Sequence, residues 1–183
     1  MKPNLQKFKI KKEVYILTGK VNNRPLLEKL KEFVMQKAIE NISEKTNVFS
    51  ARTGFKDLLG NNEFFGFIKE IRDTVPLIWT QDYAVFDAWG NVYRGPQDHC
   101  KRHSHYGTTA FCGILYLSEE GPGTYFDEIN VTVKEEFGKF VLFSPLLYHQ
   151  VPQYYHKKER VVVVFNCDEH KYLLDPKKGR ILK

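Results

Sequence analysis

From Phe8 to Ile16 the apolar side chains Phe8, Ile10, Val14 and Ile16 fall on even positions, with Lys7, Lys9 and Lys11 among the residues between them. A period of two predicts a strand with one solvated edge. The period then lengthens. Pro25 opens a stretch in which Leu27, Leu30, Val34 and Ala38 recur at three or four residues, which predicts an amphipathic helix over 25–42. A second helix is expected from about Asn62, with Phe64, Phe67, Ile68 and Ile71 on one face, stopping before Pro76. Stripes of this kind are core contacts in the ordinary logic of helix packing, so neither helix is expected to carry chemistry.

From about residue 77 the pattern changes to short strands. Tyr83–Trp89, Thr108–Leu117, Thr124–Phe126, Ile129–Val133, Lys139–Phe143 and Arg160–Asn166 are the candidates. Gly, Pro, Asn and Asp punctuate them: GN at 90–91, EEGPG at 119–123 and SP at 144–145. Many short strands at close spacing argue for a sandwich or roll. The expected architecture is one α+β domain over 1–183. Residues 1–76 would form a supporting strand and helices, 77–170 a β-roll core, and 171–183 a basic tail.

Composition narrows the class. Apolar residues make up 42% of the 183 and aromatics 14%, enough for a β-rich core. No apolar run approaches the ~20 residues that span a membrane, and the start of the chain does not read as a signal peptide. Cys100, Cys112 and Cys167 are odd in number with no CxxC spacing, which fits reduced thiols and a cytoplasmic location. The formal net charge is +6, much of it near the two ends. No zinc-finger, RNP or Walker pattern accompanies it, so it reads as a solvated surface rather than a nucleic-acid footprint.

The candidate chemistry lies in two segments, RGPQDHCKRHSHYG and LLYHQ, which hold four of the six histidines. On a strand, His103 and His105 would project from one face, close enough to share a small ion, and imidazole suits iron, zinc, copper and nickel. His149 follows the strand GKFVLF and the Ser144-Pro145 break, at the mouth of the expected roll. Arg160 opens RVVVVFN, a strand apolar enough to be buried on both faces. An inward arginine there needs an anionic partner. Its planar fork fits a ligand carboxylate, but an internal Asp or Glu or a reach to solvent would serve as well.

Together HxH, ILYLS, EEGPGTYF, GKFVLFSPLLYHQVP and RVVVVFN resemble the iron(II)/2-oxoglutarate-dependent oxygenases, closest to the prolyl-hydroxylase-like branch with its small bacterial and phage versions. The resemblance covers about residues 83–168. It implies a double-stranded β-helix (jelly-roll) core with the N-terminal helices packed outside. It implies that His103 and His149 bind Fe(II), that Arg160 pairs with the distal carboxylate of 2-oxoglutarate, and that Tyr116 helps hold that carboxylate. O2 would be the co-reactant and hydroxylation of a small-molecule or peptidyl substrate the default outcome.

One position departs from the family. The second member of its usual dyad is Asp or Glu, and here it is His105. Three readings stay open: His105 is the third ligand, which HxH spacing favours; Asp98, Asp127 or Glu128 supplies a carboxylate; or only two histidines bind. His99 reads as a rim residue. Loops 89–107, 119–130 and 144–158 should set substrate choice, with Tyr93, Tyr106, Tyr125, Tyr148, Tyr154 and Tyr155 among their residues. Two rivals remain. A cupin-type three-histidine thiol dioxygenase also uses HxH and a later His, but leaves Arg160 without a role and lacks the usual nearby Glu. A non-catalytic β-roll binding module would make the histidines incidental.

Overall fold

The computed structural model describes residues 13–39, 46–75, 82–153, 155 and 158–169. Phe8 and Ile10 of the first expected strand, and the tail from 171, lie outside these. The chain enters on β1 (Ile16–Lys20) and continues into α1 (Arg24–Lys37). Asn23 caps α1 by accepting the Leu26 N–H, and Pro25 occupies the first turn, where a missing N–H costs nothing. The described helix ends at Lys37, short of the expected 42. Ile39 then bridges to Arg52 as extended chain. Two short strands, β2 (Val48–Phe49) and β3 (Ala51–Arg52), precede α2 (Asn62–Thr74), whose cap Asn61 accepts the Phe64 N–H.

Eight strands follow: β4 (Tyr83–Tyr93), β5 (His99–His103), β6 (Phe111–Tyr116), β7 (Thr124–Phe126), β8 (Val131–Val133), β9 (Lys139–Phe143), β10 (His149–Val151) and β11 (Arg160–Glu169). They form a six-stranded sheet, β1-β9-β6-β11-β4-β3, and a five-stranded sheet, β2-β5-β10-β7-β8. Every pairing between these strands is antiparallel.

The six-stranded sheet separates two cores. Side chains alternate across a strand, so Val161, Val163 and Phe165 of β11 join Phe111 and Leu115 of β6 on one face, with Leu27, Leu30 and Val34 of α1 and Phe64, Phe67 and Ile71 of α2. Val162 of β11, Ile114 and Tyr116 of β6 and Val141 and Phe143 of β9 turn the other way. They pack with Phe126, Leu147 and Val151 near the small sheet. Among the described residues no helix is long and apolar enough to cross a membrane.

Several expected boundaries move. Gly90-Asn91 is not a turn, because β4 runs straight through it. Gly90 is required by packing: a Cβ there would sit 2.3 Å from Cγ1 of Val34, so the missing side chain lets α1 lie against the sheet. The strand expected from Thr108 starts at Phe111, because the Thr108 hydroxyl turns back to the His105 carbonyl (2.8 Å). The strand expected from Ile129 starts at Val131, after one 3-10 turn over Asp127–Ile129 closed by Asn130 in the left-handed region (φ 52°).

Candidate metal and anion site

The two histidine segments meet in the five-stranded sheet. His103 ends β5, His149 opens β10, and the two are directly paired. His105 is not on the strand with His103, as the HxH spacing had suggested; it lies just beyond, in a turn. Its N–H donates to the carbonyl of Pro145 at 3.0 Å. The Ser144-Pro145 break therefore pins one loop to the other. The result is three imidazoles with ring centroids 4.3, 5.1 and 5.3 Å apart. One ring nitrogen from each lies within 4.8 Å of the others.

Tautomer and charge suit a metal. The Nδ1 of His103 donates to the Lys101 carbonyl (2.9 Å) and the Nδ1 of His149 to the Leu147 carbonyl (3.2 Å). A carbonyl only accepts, so these contacts put the proton on Nδ1 and leave Nε2 as a lone-pair donor. Burial pushes His149 down to about 3, helped by its two histidine neighbours. Burial, then His103, pushes His105 down to about 4, and burial also lowers His103. Burial thus favours the neutral ring at all three positions, the form that binds metal.

The alternative carboxylates are engaged elsewhere. Asp98 accepts the N–H groups of Arg94 and Gly95. Asp127 pairs with Arg102, and Glu128 accepts the Tyr148 N–H at 2.9 Å. Among the described residues, the potential ligands that come together are the three histidines alone.

Arg160 starts β11 opposite Tyr93 of β4 and is 1% exposed. It lines the same cleft as the three histidines, with Trp89, Asn91, Tyr93, Thr124 and Val162 among the walls. Its Nε donates to a buried carboxylate, Glu135, the internal partner that an inward arginine can take. Its guanidinium carbon sits 4.4 Å above the Tyr93 ring. Yet Nη1 of Arg160, Nε1 of Trp89 and Oδ1 of Asn91 are buried with no hydrogen-bond partner in the protein. Buried polar groups are seldom left so, and three on one cleft fit a polar ligand that completes them.

Tyr116 is fully buried. Its hydroxyl donates to Thr124 Oγ1 at 2.9 Å, and Thr124 lines the cleft. Tyr93 is no loop residue: it is buried beneath Arg160. His99 stacks on Phe49, ring centroids 4.6 Å apart, outside the triad. The sequence does not single out Glu135, Trp89 or Asn91 as site residues, and it offers Tyr93 only as a tyrosine of the mouth loops. For Trp89, Asn91 and Tyr93 a signal existed, since they sit two apart and share one face of β4. Glu135, in the charged run KEEFGK, gave none.

No protein-family model and no curated protein sequence matches the chain. Solved structures do. A prolyl-4-hydroxylase from Pseudomonas putida aligns over 85% of this chain and 92% of its own, at a TM-score of 0.62 and 12% identity. The non-heme alpha-ketoglutarate-dependent epimerase SnoN of nogalamycin biosynthesis aligns over 93% and 88%, at 0.65 and 12%. HygX from Streptomyces hygroscopicus, solved with nickel and 2-oxoglutarate bound, aligns over 85% and 83%, at 0.61 and 12%. The chain shares the jelly-roll fold of these proteins.

Proposed function

We propose that this chain is a non-haem Fe(II)- and 2-oxoglutarate-dependent oxygenase of the hydroxylase type. The observation that carries the reading is one cleft holding two complementary sites. Three neutral imidazoles converge at one part of it, and Arg160, with an unpaired Nη1, forms another part of its wall. A cupin-type thiol dioxygenase leaves the unpartnered Nη1 of that buried arginine unexplained, and an incidental histidine cluster leaves the close approach of three ring nitrogens unexplained. The shared fold with HygX, solved with nickel and 2-oxoglutarate, agrees with the donor set here.

In this reading the Nε2 atoms of His103, His105 and His149 hold iron, with the carbonyls of Lys101 and Leu147 fixing two of the rings. Bound iron supplies the activation of O2, coupled to decarboxylation of 2-oxoglutarate to succinate and CO2, that oxidises a substrate C–H bond. The protein's own part is binding and exclusion of water. Arg160 donates from Nη1 to the distal carboxylate of the 2-oxo acid, and Thr124 and Trp89 add donors beside it. Val48, Ile114, Val151, Val162 and Val164 give the same cleft apolar walls.

The two helices clad the outside of the roll, as their shared core with one face of the larger sheet supports. The whole acts as one catalytic domain. The substrate is a small molecule or a peptidyl side chain, entering past the exposed Tyr106 and Tyr148. The three free, buried cysteines suit a reducing compartment, the cytoplasm.

The test is succinate formation from 2-oxoglutarate by anaerobically purified protein given Fe(II) and then O2. The expected result is iron-dependent succinate release, lost in His149→Ala. Iron-dependent thiol oxidation without 2-oxoglutarate, or no turnover in the presence of bound iron, would contradict the proposal.

A further inference from the structure

Glu135 and Glu136 are adjacent in sequence and opposite in fate. Glu136 lies at the surface and pairs with Lys20. Glu135 turns inward, and its side chain is 0% exposed. It accepts from Nε of Arg160 and from the N–H of Gly123 (3.2 Å). The chain makes room for it: a Cβ on Gly121 would lie 2.4 Å from Glu135 Oε2. Arg160 forms part of the cleft wall and Glu135 does not. The carboxylate takes Nε and leaves Nη1 without a partner in the protein.

Burying an ion pair is weak support for a fold, because desolvation offsets most of the attraction. The arrangement has a clearer account in the charge of the site, given the oxygenase reading above. A divalent ion brings two positive charges and Arg160 one, while a 2-oxo dicarboxylate brings two negative charges. In the family's usual dyad, an Asp or Glu ligand supplies the remaining negative charge. Here that position is His105, and an imidazole ligates as the neutral ring, without charge to give. A loaded site with three imidazoles and Arg160 alone would keep one uncompensated positive charge in a cleft of low dielectric.

We propose that Glu135 is the counter-carboxylate of this site. It restores, behind Arg160, the negative charge that His105 withholds from the metal, and it fixes the guanidinium edge that meets the dicarboxylate. Glu135 is thus a positioning and charge-setting residue. Positions 105 and 135 form one unit that tolerates one carboxylate, not two.

The test is titration of 2-oxoglutarate into Ni(II)-loaded protein, comparing wild type, His105→Asp, Glu135→Gln and the double variant, with thermal unfolding of each as a folding check. His105→Asp puts a second carboxylate into the unit. It is expected to hold Ni(II) at least as tightly as wild type and to bind 2-oxoglutarate roughly tenfold or more weakly. Adding Glu135→Gln should bring that affinity back to within about threefold of wild type. The His105→Asp arm carries the test even where the Glu135→Gln variants do not fold. Undiminished 2-oxoglutarate affinity in His105→Asp overturns the proposal, as does an equal effect of Glu135→Gln in both backgrounds. A wild-type Ni(II) protein that does not bind 2-oxoglutarate overturns the oxygenase reading itself.

Discussion

His103 and His149, 46 residues apart in the chain, face each other as directly opposed residues of β5 and β10, their ring centroids 4.3 Å apart. Each ring is held by a backbone carbonyl two residues before it, on its own chain segment. The pair is therefore built into the small sheet, and only the third member of the triad arrives from a loop. That asymmetry sets unequal consequences for mutation.

His149→Ala should bind Fe(II) or Ni(II) more weakly than wild type by well over tenfold, because it removes a fixed ligand from the sheet. His105→Ala should also lose affinity, but by less, since the sheet pair remains. Competition against a metal-sensitive dye would measure both. Equal affinity in His105→Ala and wild type would remove position 105 from the ligand set.

Arg160→Gln should cost about 3–5 kcal/mol of stability, because Glu135 would be left as an unpaired buried charge. The double change Arg160→Gln/Glu135→Gln removes both charges, so no unpaired charge stays buried, and it should recover part of that loss. It should not recover 2-oxoglutarate binding, since no cation then faces the cleft. Denaturant unfolding read beside ligand titration separates the two effects.

Gly90→Ala should destabilise the fold by about 1–3 kcal/mol through overpacking against Val34. Val34→Ala in the same chain should relieve part of the cost, which a double-mutant cycle in denaturant would show. Additive losses would mean that α1 does not meet β4 at this point.

Cys100 lines the cleft, and burial pushes its thiol up to about 12, with Arg160 pulling slightly the other way. The unfolded thiol titrates near 9. The folded state thus favours the neutral form, and this contribution to stability is full below pH 9 and lost as pH rises from 9 towards 12. At pH 8 a thiol reagent should label the native protein far more slowly than the unfolded one, where all three cysteines react.

Much of this was legible in the sequence. The α2 stripe Phe64, Phe67, Ile68 and Ile71 is buried as its spacing demands, and β7, β9 and the start of β11 fall where alternation and apolar runs place them. His103, His105, His149 and Arg160 do converge on one cleft. What escaped depends on partners distant in the chain. Gly90-Asn91 has turn chemistry, yet Val34 of α1 makes the glycine a packing requirement within a strand. Strands of two or three residues such as β2 and β10 carry too little periodicity to be read. Glu135 and Glu136 look alike in sequence, and only the position of Arg160 across the roll decides which one is buried.

The most direct test of the central claim is calorimetric titration of 2-oxoglutarate into the protein with and without Ni(II). The account predicts one-to-one binding to the metal-loaded protein and little or none to the metal-free protein, because metal and Arg160 must hold opposite ends of one molecule. Binding of equal strength without metal, or none with metal bound, would contradict it.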